Sequence, residues 1–118
     1  MDVTPFAKKR TIGLTTRGRK SGEPRTVKVW FVVAGPKRIF VQHATSAPAQ
    51  WYRNLVADPA VEVDFGGGSI AGRAAPLTDP QQIRDILRLV RRKYPFAWLI
   101  QLLGRKAKPL AAEIVLEA

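Results

Sequence analysis

Apolar residues fall at alternate positions over most of the chain, and the alternation restarts after each glycine- or proline-rich turn. Thr11 to Thr16 predicts a first strand. Arg25 to Val33 predicts a second, with Val27, Val29 and Phe31 on one face and Thr26, Lys28 and Trp30 on the other. Ala34-Gly35-Pro36-Lys37 reads as a turn and Arg38 to Gln42 as a third strand. In Ala60 to Phe65, Val61, Val63 and Phe65 alternate with Glu62 and Asp64. Gly66-Gly67-Gly68 then turns the chain back into Ser69 to Pro76, making a hairpin. Ala111 to Leu116 reads as a closing strand.

Elsewhere the period lengthens to that of a helix. Pro48 to Ala57 predicts a short one: Pro48 suits a first turn, Trp51 and Leu55 share a face, Asn54 lies near it, and Asp58-Pro59 stops it. A second starts at Asp79, the N-cap, with Pro80 at its first position. Ile83, Ile86, Leu87 and Val90 make its apolar face, Arg84, Arg88 and Arg91 make a basic stripe, and Tyr94-Pro95 breaks it. Phe96 to Leu103 predicts a third helix, apolar nearly all round, with Gly104 to cap it. The order is β-β-β-α-β-β-α-α-β. So many hairpins imply an α+β, mainly β protein: an antiparallel sheet closed into a barrel, with helices packed outside. Residues 1–118 are expected to form one domain, with 1–10 as a flexible or helical arm.

Composition narrows the function. The chain of 118 residues has 46% hydrophobic residues and no cysteine, which removes disulfides, cysteine-based zinc sites and a thiol nucleophile. The formal net charge is +11, which attracts polyanions. The charge is uneven: residues 1–38 hold ten Lys and Arg against Asp2 and Glu23, and residues 84–108 hold eight against Asp85 alone, so two basic patches are expected. His43 is the only histidine and has no second ligand partner, so no metal is expected; a structural or surface role is preferred over that of a general acid. The N-terminus has no signal-like apolar run, and Phe96 to Leu103 is too short to span a bilayer. A soluble, cytoplasmic protein is expected, with peripheral membrane contact left open.

The most informative stretch is Leu14 to Val33. Its centre, Arg17 to Arg25, combines Arg17, Arg19, Lys20 and Arg25 with Gly18, Ser21 and Gly22. Peptide N–H groups in a tight turn can bind an anion, and the side chains add charge-assisted hydrogen bonds. Such a turn is either a clamp for an anionic cofactor tail or a solvated basic turn. Phosphate-binding loops, zinc-protease helices and nucleophile elbows are absent. A basic turn with aromatics suits a flat anionic molecule, so an enzyme built on it leaves the chemistry to a cofactor.

The segments L-T-T-R-G-R-K-S-G-E-P-R (Leu14–Arg25), W-Y-R-N-L-V-A-D-P-A-V-E-V (Trp51–Val63) and K-Y-P (Lys93–Pro95) resemble the deazaflavin-dependent nitroreductase family of split β-barrels, related to flavin and pyridoxamine-phosphate oxidase barrels. The likeness runs over roughly Thr11 to Leu116. It implies reduced coenzyme F-420, whose tail carries a phosphate and several glutamates. By resemblance, Arg19, Lys20, Ser21 and Arg25 hold that tail, and Thr26, Val27, Lys28, Val29 and Trp30 line the groove. Gln42, His43, Ala44 and Thr45 lie near the ring, and Gln50, Trp51 and Asn54 close the pocket. Tyr94, and second Ser46, are the candidate proton donors.

The chain departs from the family in ways that make the substrate side apolar. Its Ala44-Thr45-Ser46-Ala47 loop is shorter than the family's Ser-Lys-Gly-Gly type and lacks the lysine. Ala97 and Ile100 replace further tyrosines, and Val29 stands where many members have proline. The expected reaction is hydride transfer to a hydrophobic electron-poor acceptor: a quinone, an enone or a nitro compound. The rivals are an FMN-binding oxidoreductase on the same barrel and a non-enzymatic protein lying on anionic lipid through Phe96 to Leu103. Nucleic acid is not the expected partner, since the chain has no recognition motif. Both a monomer and a homodimer fit the sequence.

Overall fold

The computed structural model describes residues 3–42, 50–94 and 111–117. A 3₁₀ turn at Thr4–Phe6 precedes strands β1 (Ile12–Arg17), β2 (Pro24–Gly35) and β3 (Arg38–Gln42). Helix α1 (Gln50–Ala57) leads to β4 (Ala60–Asp64) and β5 (Ser69–Pro76), then α2 (Pro80–Lys93) and β6 (Ala111–Leu116). The strands close into an antiparallel barrel in the order β1-β2-β3-β6-β5-β4. The expected β-β-β-α-β-β-α order and closure therefore hold among the described residues. The helix expected over Phe96–Leu103 lies outside them.

Boundaries shift for local reasons. β2 runs on to Gly35 through an irregularity between Val33 and Gly35, so the turn is tighter than the four residues expected. β1 gains Arg17, which pairs with Pro24 at the mouth of the basic turn. Asp79 caps α2 as expected, its carboxylate accepting from the Gln81 N–H at 3.1 Å.

Alternation sorts the side chains into two cores. Ile12, Leu14, Val29, Phe31, Val41, Val63 and Ile114 point into the barrel, all at most 2% exposed. Each such side chain contributes about 1.5–3 kcal/mol by leaving water. Trp51 and Leu55 of α1 close one end of this core. The other end is closed by Val3, whose N–H donates to Pro36 O at 2.7 Å, and by Phe6, which stacks on Phe65 at 4.8 Å between ring centres. The second core lies outside the barrel wall, where Ile86 and Val90 of α2 cover Val32, Phe40 and Ala111, with Trp30, Ile83 and Tyr94 at its margin.

The long strand β2 serves two neighbours in succession. Pro24 to Val29 pair with β1, and Trp30 to Gly35 pair with β3. Over Pro24 to Lys28 no second strand among the described residues covers its other edge, and these residues are all exposed. Val27 thus stands 38% exposed although its alternation points it inward.

Candidate functional site: an anion cleft at the barrel end

The turn between β1 and β2 is held by its own backbone. The Gly18 N–H donates to Glu23 O at 2.8 Å, and the Gly22 N–H to Gly18 O at 2.7 Å. Ser21 Oγ accepts from the Glu23 N–H at 3.2 Å, and Arg17 Nη1 reaches Gly22 O at 3.4 Å. Gly22 has φ +72°, the left-handed region that favours glycine. A Cβ at Gly18 would stand 2.8 Å from Ser21 Oγ, so the serine hydroxyl would have to leave its place in the turn.

Helix α1 docks the turn through Asn54, only 3% exposed. Asn54 Oδ1 accepts from Arg19 twice, from the backbone N–H at 3.3 Å and from Nη1 at 3.0 Å. Its Nδ2 donates to Thr16 Oγ1 at 3.2 Å, and Thr16 is 2% exposed at the end of β1. One amide thereby ties the helix, the strand end and the turn. Gly18, Arg19, Lys20, Ser21, Arg25, Gln50 and Asn54 surround a cleft of about 290 Å³. Among the described residues its lining carries three cations and no acid, a charge balance that suits an anion.

The residues singled out from sequence distribute as follows. Arg19, Lys20, Ser21, Arg25, Gln50 and Asn54 come together around the cleft. Trp51 does not; it is 5% exposed within the barrel core, because the face of α1 that carries it is the one that plugs the barrel. Val29 is likewise sealed in the core, leaving only its backbone for a groove. Thr26 and Lys28 lie on the exposed β2 edge, and Thr26 Oγ1 shares a 2.7 Å hydrogen bond with Thr15 Oγ1. Trp30 is partly buried and stacks on Tyr94 at 4.8 Å between centres, 15° from parallel. His43, Ala44, Thr45 and Ser46 lie outside the described residues.

Tyr94 sits at the end of α2, away from the cleft lining. Its hydroxyl donates to Arg10 O and accepts from the Phe31 N–H at 3.3 Å. Partial burial raises its pKa, only partly offset by the bond to Phe31. The proton expected for catalysis is thus held on a backbone carbonyl. Beside it, Lys93 Nζ donates to Phe31 O at 2.9 Å and lies 3.4 Å from the Phe31 ring centre. Desolvation lowers its pKa to about 8.

Gln42, at the end of β3, pairs directly with Trp30 of β2 and Ala111 of β6. It is 5% exposed, and among the described residues its Oε1 has no hydrogen-bond partner. A stranded buried acceptor costs about 1–3 kcal/mol.

Two residues were missed from sequence. Thr16 was read only as the end of a strand, and Gly18 only as a turn former. The signal for Thr16 was present: it continues the inward positions of Ile12 and Leu14, where a hydroxyl needs a partner.

The fold and cleft define a split β-barrel with a cation-lined pocket at one end. The chain belongs to the F-420H(2)-dependent quinone reductase family, whose sequence model matches residues 2–98. It is accordingly an F-420-dependent reductase, with coenzyme F-420 as its cofactor. No curated protein matches the chain. Among solved structures, an F-420-H2 dependent reductase (FDR-A) matches at 24% identity over 92% of this chain and 95% of that chain, with a TM-score of 0.68. The conserved hypothetical protein Rv2991 from Mycobacterium tuberculosis matches at 22% identity over 98% and 79%, TM-score 0.72. HutZ, a heme storage protein from Vibrio cholerae, matches at 18% identity over 100% and 92%, TM-score 0.71. Likeness at these identities speaks for the fold alone.

The donor set fits the coenzyme's anionic tail. Two guanidinium groups, an ammonium and a hydroxyl converge on one cleft without a competing carboxylate, which suits phosphate and carboxylate oxygens.

Proposed function

We propose that this protein reduces a hydrophobic quinone at the expense of reduced F-420. The observation that carries the reading is the cleft: Arg19, Lys20 and Arg25 face one pocket at the barrel end, and Asn54 fixes Arg19 there. Arg19, Lys20, Ser21 and Arg25 hold the anionic tail, and the exposed edge of β2 from Pro24 to Lys28 guides the rest of the molecule toward Trp30. When bound, reduced F-420 supplies a hydride; with one proton from solvent this carries two electrons and two hydrogens to the quinone, giving the hydroquinone. The protein's part is to bind, align and exclude water, with reacting atoms held ~3–3.5 Å apart. The quinone preference is supported by the family and by the apolar replacements at Ala97 and Ile100.

Among the described residues no helix is long and apolar enough to cross a membrane.

The test is titration of the protein with F-420 and, separately, with FMN, followed by fluorescence, and then turnover with a soluble short-chain quinone. F-420 binding that is lost in the Arg19→Ala, Lys20→Ala double variant, together with quinone turnover, supports the reading. Preference for FMN, or F-420 binding without quinone reduction, overturns it.

A further inference from the structure

Beyond Val29, strand β2 leaves β1 and continues on β3. Rungs of an antiparallel ladder alternate, and every second one exchanges two N–H···O bonds. The Gly18 N–H donates to Glu23 O at 2.8 Å, which sets the phase. From there the bonded rungs fall at Thr16–Arg25, Leu14–Val27 and Ile12–Val29, and the next in register is Arg10–Phe31. At that rung a side chain is interposed. The Phe31 N–H donates to the Tyr94 hydroxyl at 3.3 Å, and the hydroxyl donates to Arg10 O. Phe31 O accepts from Lys93 Nζ at 2.9 Å. Two consecutive residues at the end of α2 thus take three of the rung's four backbone groups. The same register would set Thr11 opposite Trp30, but the indole stacks on the Tyr94 ring at 4.8 Å between centres.

We propose that Lys93 and Tyr94 are positioning residues: as a wedge standing in for the Arg10–Phe31 rung, they hold the β1–β2 seam open and fix Trp30 at the end of the exposed β2 edge. The chemistry of the pair suits this role. A hydroxyl both accepts and donates, so it can enter an N–H···O bond without stranding either end. An ammonium only donates, which is what Phe31 O needs, and here it also lies 3.4 Å from the Phe31 ring centre. Phe31 itself is 0% exposed in the barrel core, so the wedge bears on a strand that is anchored. The Tyr94 proton stays on Arg10 O, which makes this residue a spacer and not a proton donor. The wedge is a property of the seam alone; its effect on turnover rests on the F-420 reading.

The seam is read by NMR on the isotope-labelled, unliganded protein. Wild type should show a protected Phe31 amide with no through-hydrogen-bond coupling to the Arg10 carbonyl carbon. Tyr94→Phe keeps the ring and loses the hydroxyl, so the Phe31 amide should exchange about tenfold faster, as for one hydrogen bond lost. Lys93→Ala combined with Tyr94→Ala removes the wedge, so the coupling should appear and the Trp30 indole N–H resonance should move. A direct coupling in wild type, an unchanged Phe31 exchange rate in Tyr94→Phe, or a folded double variant without the coupling overturns the inference. The first two outcomes are read even where the double variant does not fold. In quinone reduction by reduced F-420, Tyr94→Phe should raise the KM for the coenzyme about 3–10-fold and leave kcat within about threefold. Loss of a proton donor would instead lower kcat by about 10²–10⁴, and a fall of that size, or an unchanged KM, overturns the positioning role. Wild-type protein that does not turn over F-420 overturns the coenzyme reading alone, because the NMR comparisons decide the wedge without it.

Discussion

Replacing Asn54 by leucine removes three hydrogen bonds while nearly preserving volume. Two of the bonds position Arg19, at 3.0 and 3.3 Å, and the third, at 3.2 Å, satisfies Thr16 inside the barrel end. The Thr16 hydroxyl, 2% exposed, is left without its donor, at a cost of about 1–3 kcal/mol. Losing the two hydrogen bonds from Arg19, itself an exposed residue, adds about 1 kcal/mol. The total of roughly 2–4 kcal/mol corresponds to a fall in Tm of about 8–16 °C for a domain of this size. F-420 affinity should fall as well, about tenfold, because Arg19 is no longer fixed toward the cleft. Asn54→Asp separates the two effects. Its carboxylate still accepts from Arg19, and the Thr16 hydroxyl can turn to donate, so Tm should stay within about 4 °C of wild type. The added negative charge opposes the anionic tail, so affinity should fall further than in Asn54→Leu. Calorimetry and fluorescence titration give both readouts. An Asn54→Leu protein with wild-type Tm and wild-type F-420 affinity would refute the reasoning that this amide organises the cleft.

Gly18→Ala should weaken F-420 binding and lower stability by about 1 kcal/mol, since its Cβ would meet Ser21 Oγ at 2.8 Å and displace the bond to the Glu23 N–H; equal affinity in titration would show that the turn shape is not needed. Removing Arg19 and Lys20 together should flatten the fall of F-420 affinity with added salt, because two screened attractions are gone; an unchanged salt slope would place the anion elsewhere. Lys93 has its pKa lowered from 10.5 to about 8 by desolvation. Its unfolded form therefore binds more protons than the folded form between about pH 8 and 10.5, so stability rises with pH across that window and is insensitive to this group below it. Measured between pH 8 and 9.5, beneath the titration of Tyr94, the Tm of wild type relative to Lys93→Met should climb with pH; a flat difference would mean that Lys93 is fully hydrated.

The sequence by itself determined the barrel. Alternation in β1, β4 and β6 specifies which side chains enter the core, because a strand's two faces follow a period of two wherever the chain goes. Asp79-Pro80 specified the start of α2 for an equally local reason, a carboxylate that accepts from the N–H of the helix's second residue, Gln81. The basic turn was legible too, since glycines and cations occupy consecutive positions. What only the tertiary structure decided is which of these residues meet. Asn54 and Arg19 stand thirty-five positions apart, and Tyr94 and Arg10 eighty-four. Helical spacing put Trp51 and Asn54 on neighbouring faces of α1, and the sequence could not say which one the barrel would swallow. Docking of α1 on the barrel end buried Trp51 in the core and turned Asn54 to the turn. Tyr94 was expected near a substrate, but the path of α2 carries its hydroxyl to Arg10 O. Gln42 was expected near the ring by resemblance; its burial between β2 and β6, with no partner for Oε1 among the described residues, came only with barrel closure. Local periodicity fixes a residue's face, whereas partners are fixed by closure of the barrel, which couples positions far apart in the chain.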